Sequence, residues 1–137
     1  MVLVDTTVLS LSLRRRDPSR LSDHERRVVA EFLNLSDSGQ IILLGVIRQE
    51  LLSGIRHHEQ FNRLRRILNG YSYLNVNLID HDVAAEYTNR CRSAGLDAGD
   101  IDMLICAAAA RAEIAVFTTD GDFSRYAKHL PLRLHRR

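Results

Sequence analysis

Short apolar runs that alternate with longer amphipathic segments constrain the fold of this chain more than any other feature. Four such runs, apolar throughout or at alternate positions, have the length of strands and lie at residues 2–4, 41–44, 74–78 and 114–118. Strands that alternate with helices predict crossover connections, and hence a mostly parallel sheet with helices on both faces. We therefore predict a single α/β domain over residues 1–137, with four strands and a fifth, edge strand at residues 132–134.

Helix-start and helix-stop residues mark the segments between these strands. Polar side chains that accept hydrogen bonds from free backbone N–H groups begin helices, and glycine commonly ends them. We expect Thr6 or Thr7 to cap a first helix, and the capping-box pattern SDHE at residues 22–25 to open a second. Further helices are expected from Val46 to about Gly54, before Gly70, from an Asp80 cap to Gly95, from Asp100 onward, and after an Asp122 cap.

The composition narrows the class of protein before any motif is considered. A hydrophobic fraction of 45% fits a globular chain with a core and excludes a disordered one. Cys91 and Cys106 fall in helix-like apolar patterns without metal-ligand spacing, so we expect them in the core of a protein from a reducing compartment. Because no signal peptide or membrane span fits the sequence, we expect a cytoplasmic protein with no membrane partner.

The net charge of +2 conceals a more basic surface. If four of the 17 acids gather in one site, 13 remain against 19 bases, which leaves the rest of the surface near +6. Such a surface suits a polyanionic partner. Lys128 is the only lysine, and arginine binds phosphate through two parallel hydrogen bonds. A genome-wide bias toward arginine codons explains the same composition, and both explanations stay open.

Carboxylates follow two of the predicted strands at the point where each strand leaves the core. Asp5 comes directly after Val4, and Asp120 ends the sequence VFTTD that contains the end of the fourth strand. In open parallel sheets, ligands bind beyond the carboxyl ends of the strands. Both acids therefore occupy positions that are typical of a functional site.

Two further acids lie on predicted helices beside apolar residues. Glu50 shares the predicted inward side of its helix with Val46 and Ile47, where a carboxylate is unfavourable unless it is paired or bound. Asp102 falls in the first turn of a helix, whose dipole favours a negative charge there. Four carboxylates brought together repel each other, and a hard divalent cation such as Mg²⁺ or Mn²⁺ removes that repulsion. An all-acidic site of this kind indicates metal-assisted hydrolysis of a phosphodiester.

Each acid taken singly has a plainer structural explanation. Asp5, Asp100 and Asp122 are all placed to cap helices, and Glu50 is placed to pair with Arg48 or another arginine. Four acids at corresponding strand ends and helix starts are much harder to explain by capping and surface pairing alone. The joint pattern therefore favours a site over four independent structural roles.

Four motifs give the chain a resemblance to the PIN-domain endoribonucleases, and among them to the VapC-type toxins of bacterial type II toxin–antitoxin pairs. The motifs are VDTTVL with Asp5, IRQELLSGI with Glu50, DMLICAAAA with Asp102 and TTDGDF with Asp120, in this order over nearly the whole chain. The resemblance implies a three-layer α/β/α fold around a parallel sheet. It also implies a ribonuclease that depends on Mg²⁺ or Mn²⁺ and cleaves RNA phosphodiesters with metal-activated water.

The resemblance also implies roles for individual residues. The four motif acids would be catalytic, and Thr118 would hydrogen-bond a carboxylate. The candidate metal ligands, from firmest to weakest, are Asp5 and Asp102, then Glu50 and Asp120, then Asp100 and Asp122.

Partners follow from the same resemblance. It implies a homodimer held inactive by a small protein antitoxin, whose peptide tail covers the acidic pocket. The segment HHEQFNRLRRIL at residues 57–68 is a candidate for the groove that binds this partner, or else an ordinary amphipathic surface helix. Arginines near Glu50 in sequence are candidates for contacting an RNA backbone, or else form a solvated face; they are Arg48, Arg56, Arg63, Arg65 and Arg66.

Other functions of this fold class need residues that the chain lacks. A receiver domain requires paired acids after the first strand, and a haloacid-dehalogenase-like phosphatase requires D-x-D-x-T where this chain has VDTTV. Nucleotide-binding folds require glycine patterns that are absent here. The remaining alternative is a non-catalytic RNA-binding or scaffold module, for which the four acids are dispensable and divalent metal does not matter.

Overall fold

Four parallel strands form the central sheet. The computed structural model describes residues 1–14 and 17–136, and its strands are β1 (Val2–Val4), β2 (Ile41–Leu43), β3 (Ser72–Tyr73) and β4 (Ala115–Phe117). The predicted domain range 1–137 also includes Arg15, Arg16 and Arg137, which lie outside the described residues. The order across the sheet is β3-β2-β1-β4, and every neighbouring pair is parallel. Because Val4 lies opposite Phe117, the carboxyl ends of β1 and β4 are side by side.

Helices connect all four strands, which confirms the predicted α/β class. Within the described residues they are α1 (Thr6–Leu9), α2 (Asp23–Asp37), α3 (Gly45–Leu52), α4 (His58–Leu68), α5 (Leu78–Ser93), α6 (Asp100–Ala112) and α7 (Asp122–Tyr126). A π-helical turn, Ser10–Arg14, continues α1, and a 3₁₀ turn, Pro18–Arg20, precedes α2. The predicted capping box of α2 is present, with Ser22 and Glu25 bonding each other's backbone N–H groups. No helix in the described part of the chain is long and apolar enough to cross a bilayer.

The third strand is the element that was predicted in the wrong place. Residues 74–78 alternate as a half-buried strand does, but the chain pairs with β2 through Ser72 and Tyr73. A capping box formed by Asn77 and Asp80 follows and starts α5 at Leu78, within the predicted strand. In it, Asp80 Oδ2 accepts the backbone N–H of Asn77 at 2.9 Å. Asn77, and not Asp80 as predicted, therefore occupies the cap position of α5.

The C-terminal segment lies along the outer edge of β4. The predicted fifth strand at residues 132–134 is reduced to one parallel bridge, between Val116 and Leu134. The backbone N–H of Val116 donates to the carbonyl of Arg133 at 2.9 Å, and that of His135 donates to the carbonyl of Val116 at 2.8 Å. These bonds cover an edge that would otherwise expose unpaired backbone groups.

Helix α6 is the most deeply buried helix of the fold. Every residue from 103 to 109 is buried, so this helix is apolar nearly all round. Cys106 on α6 and Cys91 on α5 are both buried and unbonded, as predicted for core cysteines. A helix held on all sides keeps its first turn, which carries Asp102, in a fixed place against the sheet.

Candidate active site

The adjoining ends of β1 and β4 place Asp5 at the centre of the candidate site. Asp5 follows β1 directly, and its backbone N–H donates to the carbonyl of Phe117 at 2.9 Å. The residue is only 5% exposed. Its Oδ1 accepts the backbone N–H of Thr6 at 2.7 Å, so Asp5 itself caps α1, in place of the predicted cap at Thr6 or Thr7. One carboxylate oxygen therefore orients the side chain and leaves the other for partners across the strand ends.

Two threonine hydroxyls hold the second oxygen of the Asp5 carboxylate. Thr118 Oγ1 donates to Asp5 Oδ2 at 2.8 Å, and Thr7 Oγ1 donates to the same oxygen at 3.2 Å. The Thr118 hydroxyl also accepts the backbone N–H of Asp120 at 3.0 Å, and the Thr7 hydroxyl accepts that of Thr119 at 3.1 Å. Because a hydroxyl has a single proton, both protons are committed to Asp5. The network thus joins the start of α1 to the loop that carries Asp120.

The surroundings of Asp5 disfavour its negative charge. Burial is the largest influence and raises the pKa of the Asp5 carboxyl above its ordinary value. Hydrogen bonds from Thr118, Thr6 and Thr7 lower the pKa in part, and the charge of Asp120 raises it again. Since the net direction is upward, the chain does not fully compensate the charge of this carboxylate.

Asp102, in the first turn of α6, belongs to the same electrostatic cluster. The pKa of its half-buried carboxyl is raised to about 6, first by burial and then by the negative charges of Asp5, Asp120 and Glu50. A hydrogen bond from Tyr126 acts in the opposite direction. The structure therefore places Asp5, Asp120 and Glu50, which come from three other segments, close enough for their charges to act on Asp102. We call Asp5, Glu50, Asp102 and Asp120 the acidic cluster; their catalytic roles stay predictions.

Glu50 was predicted on the inward face of its helix, and this prediction is wrong. Its side chain approaches the acidic cluster from the solvent side. It is exposed, whereas Ile47 and Leu51 are the buried residues of α3. The spacing of three residues from Ile47 leaves Glu50 at the edge of the buried stripe. Its side chain borders an open cleft of about 550 Å³, whose other lining residues are Thr6, Thr7, Ser10, Leu11, His24, Glu25, Val28 and Thr119.

Asp120 lies in the loop after β4, and its side chain is held by the backbone that follows it. Asp120 Oδ1 accepts the backbone N–H of Asp122 at 2.9 Å. This bond stabilises the turn into α7, while the carboxylate still raises the pKa of both Asp5 and Asp102. Asp120 therefore combines a local structural role with a place in the acidic cluster.

Asp100 and Asp122, the two weaker candidates, contribute differently. Neither is among the charges that raise the pKa of Asp102. The expectation that they cap α6 and α7 is wrong in detail, because Gly99 and Gly121 occupy the cap positions and the acids are the first helical residues. Both acids are exposed, where they still complement the helix dipole.

The arginines predicted near Glu50 divide into two groups. Arg48 does not pair with Glu50, because its guanidinium donates to the Tyr73 hydroxyl at 3.2 Å and to Asn69 Oδ1 at 2.8 Å. It also lies over the Tyr73 ring, 5.7 Å from the centroid. The remaining four are exposed and free to meet a charged partner; they are Arg56, Arg63, Arg65 and Arg66.

The donor set of the acidic cluster fits a hard divalent cation. Among residues 1–14 and 17–136, no three Asp, Glu, His or Cys side chains converge closely enough to enclose a metal ion by themselves. Mg²⁺ does not require such a cage, because it keeps several waters and is usually bound through one or two carboxylates. The raised pKa values of Asp5 and Asp102 show that the surrounding chain does not fully compensate the negative charge of either carboxylate. The oxygen-only set fits Mg²⁺ or Mn²⁺ and does not fit a closed zinc site.

Two residues of the site were missed by the sequence analysis. Thr7 was visible in the motif VDTTVL but was interpreted as a helix cap, whereas its hydroxyl bridges Asp5 and the loop after β4. Tyr126 gave no signal, because its hydroxyl reaches Asp102, 24 residues earlier, only through the packing of α7 on α6. A contact between side chains of distant segments leaves no periodic pattern or fixed spacing in the sequence, so it could not be predicted from the sequence.

Comparison with known proteins agrees with this fold. The sequence matches the family model described as PIN domain over residues 2–129, which is nearly the whole chain. The chain therefore belongs to the PIN domain family, whose members are generally nucleases that use divalent metal ions. A search of curated proteins finds no match.

Several solved structures are similar to this chain at low sequence identity. FitAcB from Neisseria gonorrhoeae has a TM-score of 0.73 at 20% identity, over 99% of this chain and 97% of that one. VapBC2 from Rickettsia felis, bound to a DNA fragment from their promoter, has a TM-score of 0.71 at 17% identity, over 98% of each chain. A toxin–antitoxin complex from Klebsiella pneumoniae has a TM-score of 0.67 at 15% identity, over 88% of each chain. At these identities the likeness shows the three-layer α/β/α fold alone.

Proposed function

We propose that this chain is a metal-dependent endoribonuclease and the toxin of a toxin–antitoxin pair. The observation that carries the proposal is the buried Asp5 carboxylate at the adjoining ends of β1 and β4. The pKa of about 6 at Asp102, raised by burial and by the charges of Asp5, Asp120 and Glu50, agrees with it. A folded chain that keeps four mutually repelling acids at one sheet edge gives up stability there, and such clusters are typical of functional sites. Membership of the PIN domain family, whose members are generally nucleases, supports a nuclease as the function of this cluster.

The four acids of the cluster would have different roles in metal binding and catalysis. Asp5 and Asp102 would hold Mg²⁺ or Mn²⁺, and Glu50 and Asp120 would bind a second ion or orient the attacking water. When bound, the ion would lower the pKa of a water molecule and stabilise charge on a phosphoryl oxygen. The Thr118 hydroxyl keeps the Asp5 carboxylate aimed, and burial of Asp5 strengthens its attraction for a cation because the local dielectric is low.

RNA would be bound mainly through its backbone. The exposed arginines of α4 and the loop before it supply positive charge, and aromatic residues make up only 6% of the chain. Extensive base stacking is therefore not expected, and phosphate contacts would supply most of the affinity. Binding should accordingly weaken as salt concentration rises.

We expect the purified protein to cleave single-stranded RNA in Mg²⁺ or Mn²⁺ and to stop when EDTA is in excess. The cause is the loss of the ion that neutralises the acidic cluster, and restoring Mg²⁺ should restore cleavage. Gel analysis of labelled RNA, with sequencing of the cut ends, measures both effects. Undiminished cleavage in EDTA would reject the mechanism, and metal-independent binding without cleavage would favour the non-catalytic RNA-binding module.

A groove beside α4 is the surface that best suits a small antitoxin. It has a volume of about 440 Å³, and its lining combines apolar side chains with two arginines and a glutamine. Its lining residues are Leu13, Arg14, Ile55, Gln60, Arg63, Leu64 and Ile67. An amphipathic peptide that carries both apolar and acidic residues would match this mixed lining. The predicted segment at residues 57–68 contributes four of these residues, which supports its assignment to this groove.

Induced expression of the chain in a bacterium that lacks the antitoxin should arrest growth. Cleavage of cellular RNA in the cytoplasm would be the cause, so the Asp5→Asn variant, expressed to the same level, should leave growth normal. Culture density and colony counts after induction measure the effect. Normal growth with soluble protein that is active on RNA in vitro would contradict the toxin role and leave the nuclease proposal standing.

We also propose a homodimer. Leu78 and Ile79, at the start of α5, are 84% and 61% exposed, and two adjacent apolar side chains so open to water are typical of an interface. Sedimentation equilibrium measures the state directly, and a monomer at micromolar concentration would contradict this part of the proposal.

A further inference from the structure

Tyr126 makes a connection that the function proposed above does not use. The residue lies in α7 and is only 2% exposed, with its ring edge-on to Phe123 at 5.4 Å between centroids. Its hydroxyl lies 3.2 Å from Asp102 Oδ2 and 3.2 Å from the backbone carbonyl of Asp97. The ring is thus fixed by the core, while the hydroxyl faces the carboxylate of α6 and the loop that leads into this helix.

The Asp102 carboxylate has fewer hydrogen-bond donors than the Asp5 carboxylate, so its orientation depends more on a single partner. The Asp5 carboxylate accepts hydrogen bonds from Thr6, Thr7 and Thr118. In the part of the chain that the structure describes, Tyr126 is the only residue that donates a hydrogen bond to the Asp102 side chain. The terminal torsion of an aspartate is broad and weakly restricted, so this donor orients the Asp102 carboxylate, and its single proton is shared with the backbone carbonyl of Asp97.

We propose that Tyr126 is a positioning residue for the divalent ion, which fixes the Asp102 carboxylate and ties the start of α6 to the segment after Asp120. The proposal rests on the metal-dependent nuclease proposed above. Asp120 and Tyr126 lie on either side of the turn into α7, so the hydroxyl bond couples the placement of two acids of the cluster. Tyr126 acts through Asp102 and does not itself meet the substrate.

The expected consequence is a loss of metal affinity with little change in the fold. Partners that orient a metal ligand are worth roughly 10- to 100-fold in metal affinity. Removing only the hydroxyl, in Tyr126→Phe, keeps the ring packed against Phe123 and leaves Asp102 free to turn. The ion then has to order a mobile carboxylate, and it binds more weakly for that reason.

The test compares Tyr126→Phe with wild type and with Tyr71→Phe. Tyr71 is a matched control, because its hydroxyl lies 3.1 Å from that of Ser36, beside the amino end of β3 and away from the acidic cluster. Electron paramagnetic resonance of free Mn²⁺ gives the dissociation constant of each protein. We expect Tyr126→Phe to raise it about tenfold and Tyr71→Phe to leave it within twofold. RNA cleavage by Tyr126→Phe should fall in limiting Mg²⁺ and recover in saturating Mg²⁺, with the KM for RNA unchanged.

The outcomes separate this inference from the function on which it rests. Tyr126→Phe that binds Mn²⁺ as tightly as wild type overturns the positioning role and leaves the nuclease intact. Equal weakening by both phenylalanine variants also overturns it, because the effect is then general destabilisation. Wild-type protein that neither binds Mn²⁺ nor cleaves RNA overturns the proposed function and this inference together.

Discussion

Replacing Asp102 by asparagine should abolish RNA cleavage and, at the same time, stabilise the metal-free protein. The loss of a charged metal ligand removes several kcal/mol of transition-state stabilisation, which corresponds to a rate at least about 10³-fold lower. The gain in stability arises because asparagine is uncharged, so the variant does not place a negative charge at this position. Asp102 is half-buried among three other acids, so its ionised form is unfavourable in the folded chain.

The sign of the pH dependence follows from the pKa of about 6 in the folded state, above the ordinary value of 3.8. Between these two values the folded chain binds more protons than the unfolded chain, so the free energy of unfolding falls as the pH rises. At about pH 7.5 the Asp102 carboxyl of wild type is ionised, and the fall in the free energy of unfolding is complete. Asp102→Asn has no carboxyl at this position, so its free energy of unfolding does not fall for this reason. Because Asp102 is partly exposed, the expected difference in the free energy of unfolding between Asp102→Asn and wild type is about 1 kcal/mol, or about 4 °C in melting temperature.

Thermal unfolding in EDTA, at about pH 7.5 and about pH 4, measures the stability effect, and RNA cleavage in Mg²⁺ measures the activity. The variant should melt higher than wild type at the upper pH and nearly equally at the lower one. Asp100→Asn is the matched control, because Asp100 lies two residues earlier, is exposed and is not among the charges that raise the pKa of Asp102. This variant should cleave RNA within about threefold of wild type. Wild-type cleavage by Asp102→Asn would contradict the account.

Replacing Arg111 by alanine should destabilise the fold and lower its melting temperature by several degrees. Arg111 Nε donates to the buried Asp80 carboxylate at 2.6 Å, and its second nitrogen donates to the carbonyl of Asn75 at 2.6 Å. Without Arg111, the Asp80 charge stays buried with the Asn77 N–H as its remaining donor. Arg111 is itself 37% exposed, so water can relieve part of the loss, and the destabilisation should be smaller than for a fully buried pair.

The pH dependence of this pair has the opposite sign to that of Asp102. The hydrogen bond from Arg111 holds the pKa of Asp80 below its ordinary value, so the stabilisation is present above about pH 4 and is lost as the pH falls further. Chemical denaturation at about pH 6 should show the full difference between wild type and Arg111→Ala, and at about pH 2.5 a smaller one. Arg26→Ala is the control, since its ion pair with Asp23 is exposed and worth less than about 0.5 kcal/mol. Equal stabilities of Arg111→Ala and Arg26→Ala would contradict the prediction.

The sequence predicted the parts of this molecule that depend on local patterns. Strands β1, β2 and β4 lie within the predicted runs, because fully buried strands are apolar without interruption and are bounded by turn residues. The third strand was misplaced because the alternation at residues 74–78 is also compatible with a loop. The competing helix start at Asn77 depends on a hydrogen bond from Asp80 that the alternation does not reveal.

The acidic cluster was predictable to the extent that it follows from topology. Asp5 and Asp120 meet because parallel neighbouring strands end at the same edge, which needs only the strand order. The orientation of Glu50 was not predictable, since one residue of shift along α3 separates the buried stripe from solvent. The hydroxyls of Thr7 and Tyr126 were missed for a related reason: their partners are set by packing between distant segments.

A crystal structure grown with Mn²⁺ and measured at its absorption edge tests the central claim most directly. We expect an anomalous peak beside the carboxylate oxygens of Asp5 and Asp102, and no such peak in crystals of Asp102→Asn. Wild-type crystals that bind Mn²⁺ elsewhere and leave these two carboxylates without an ion would contradict it.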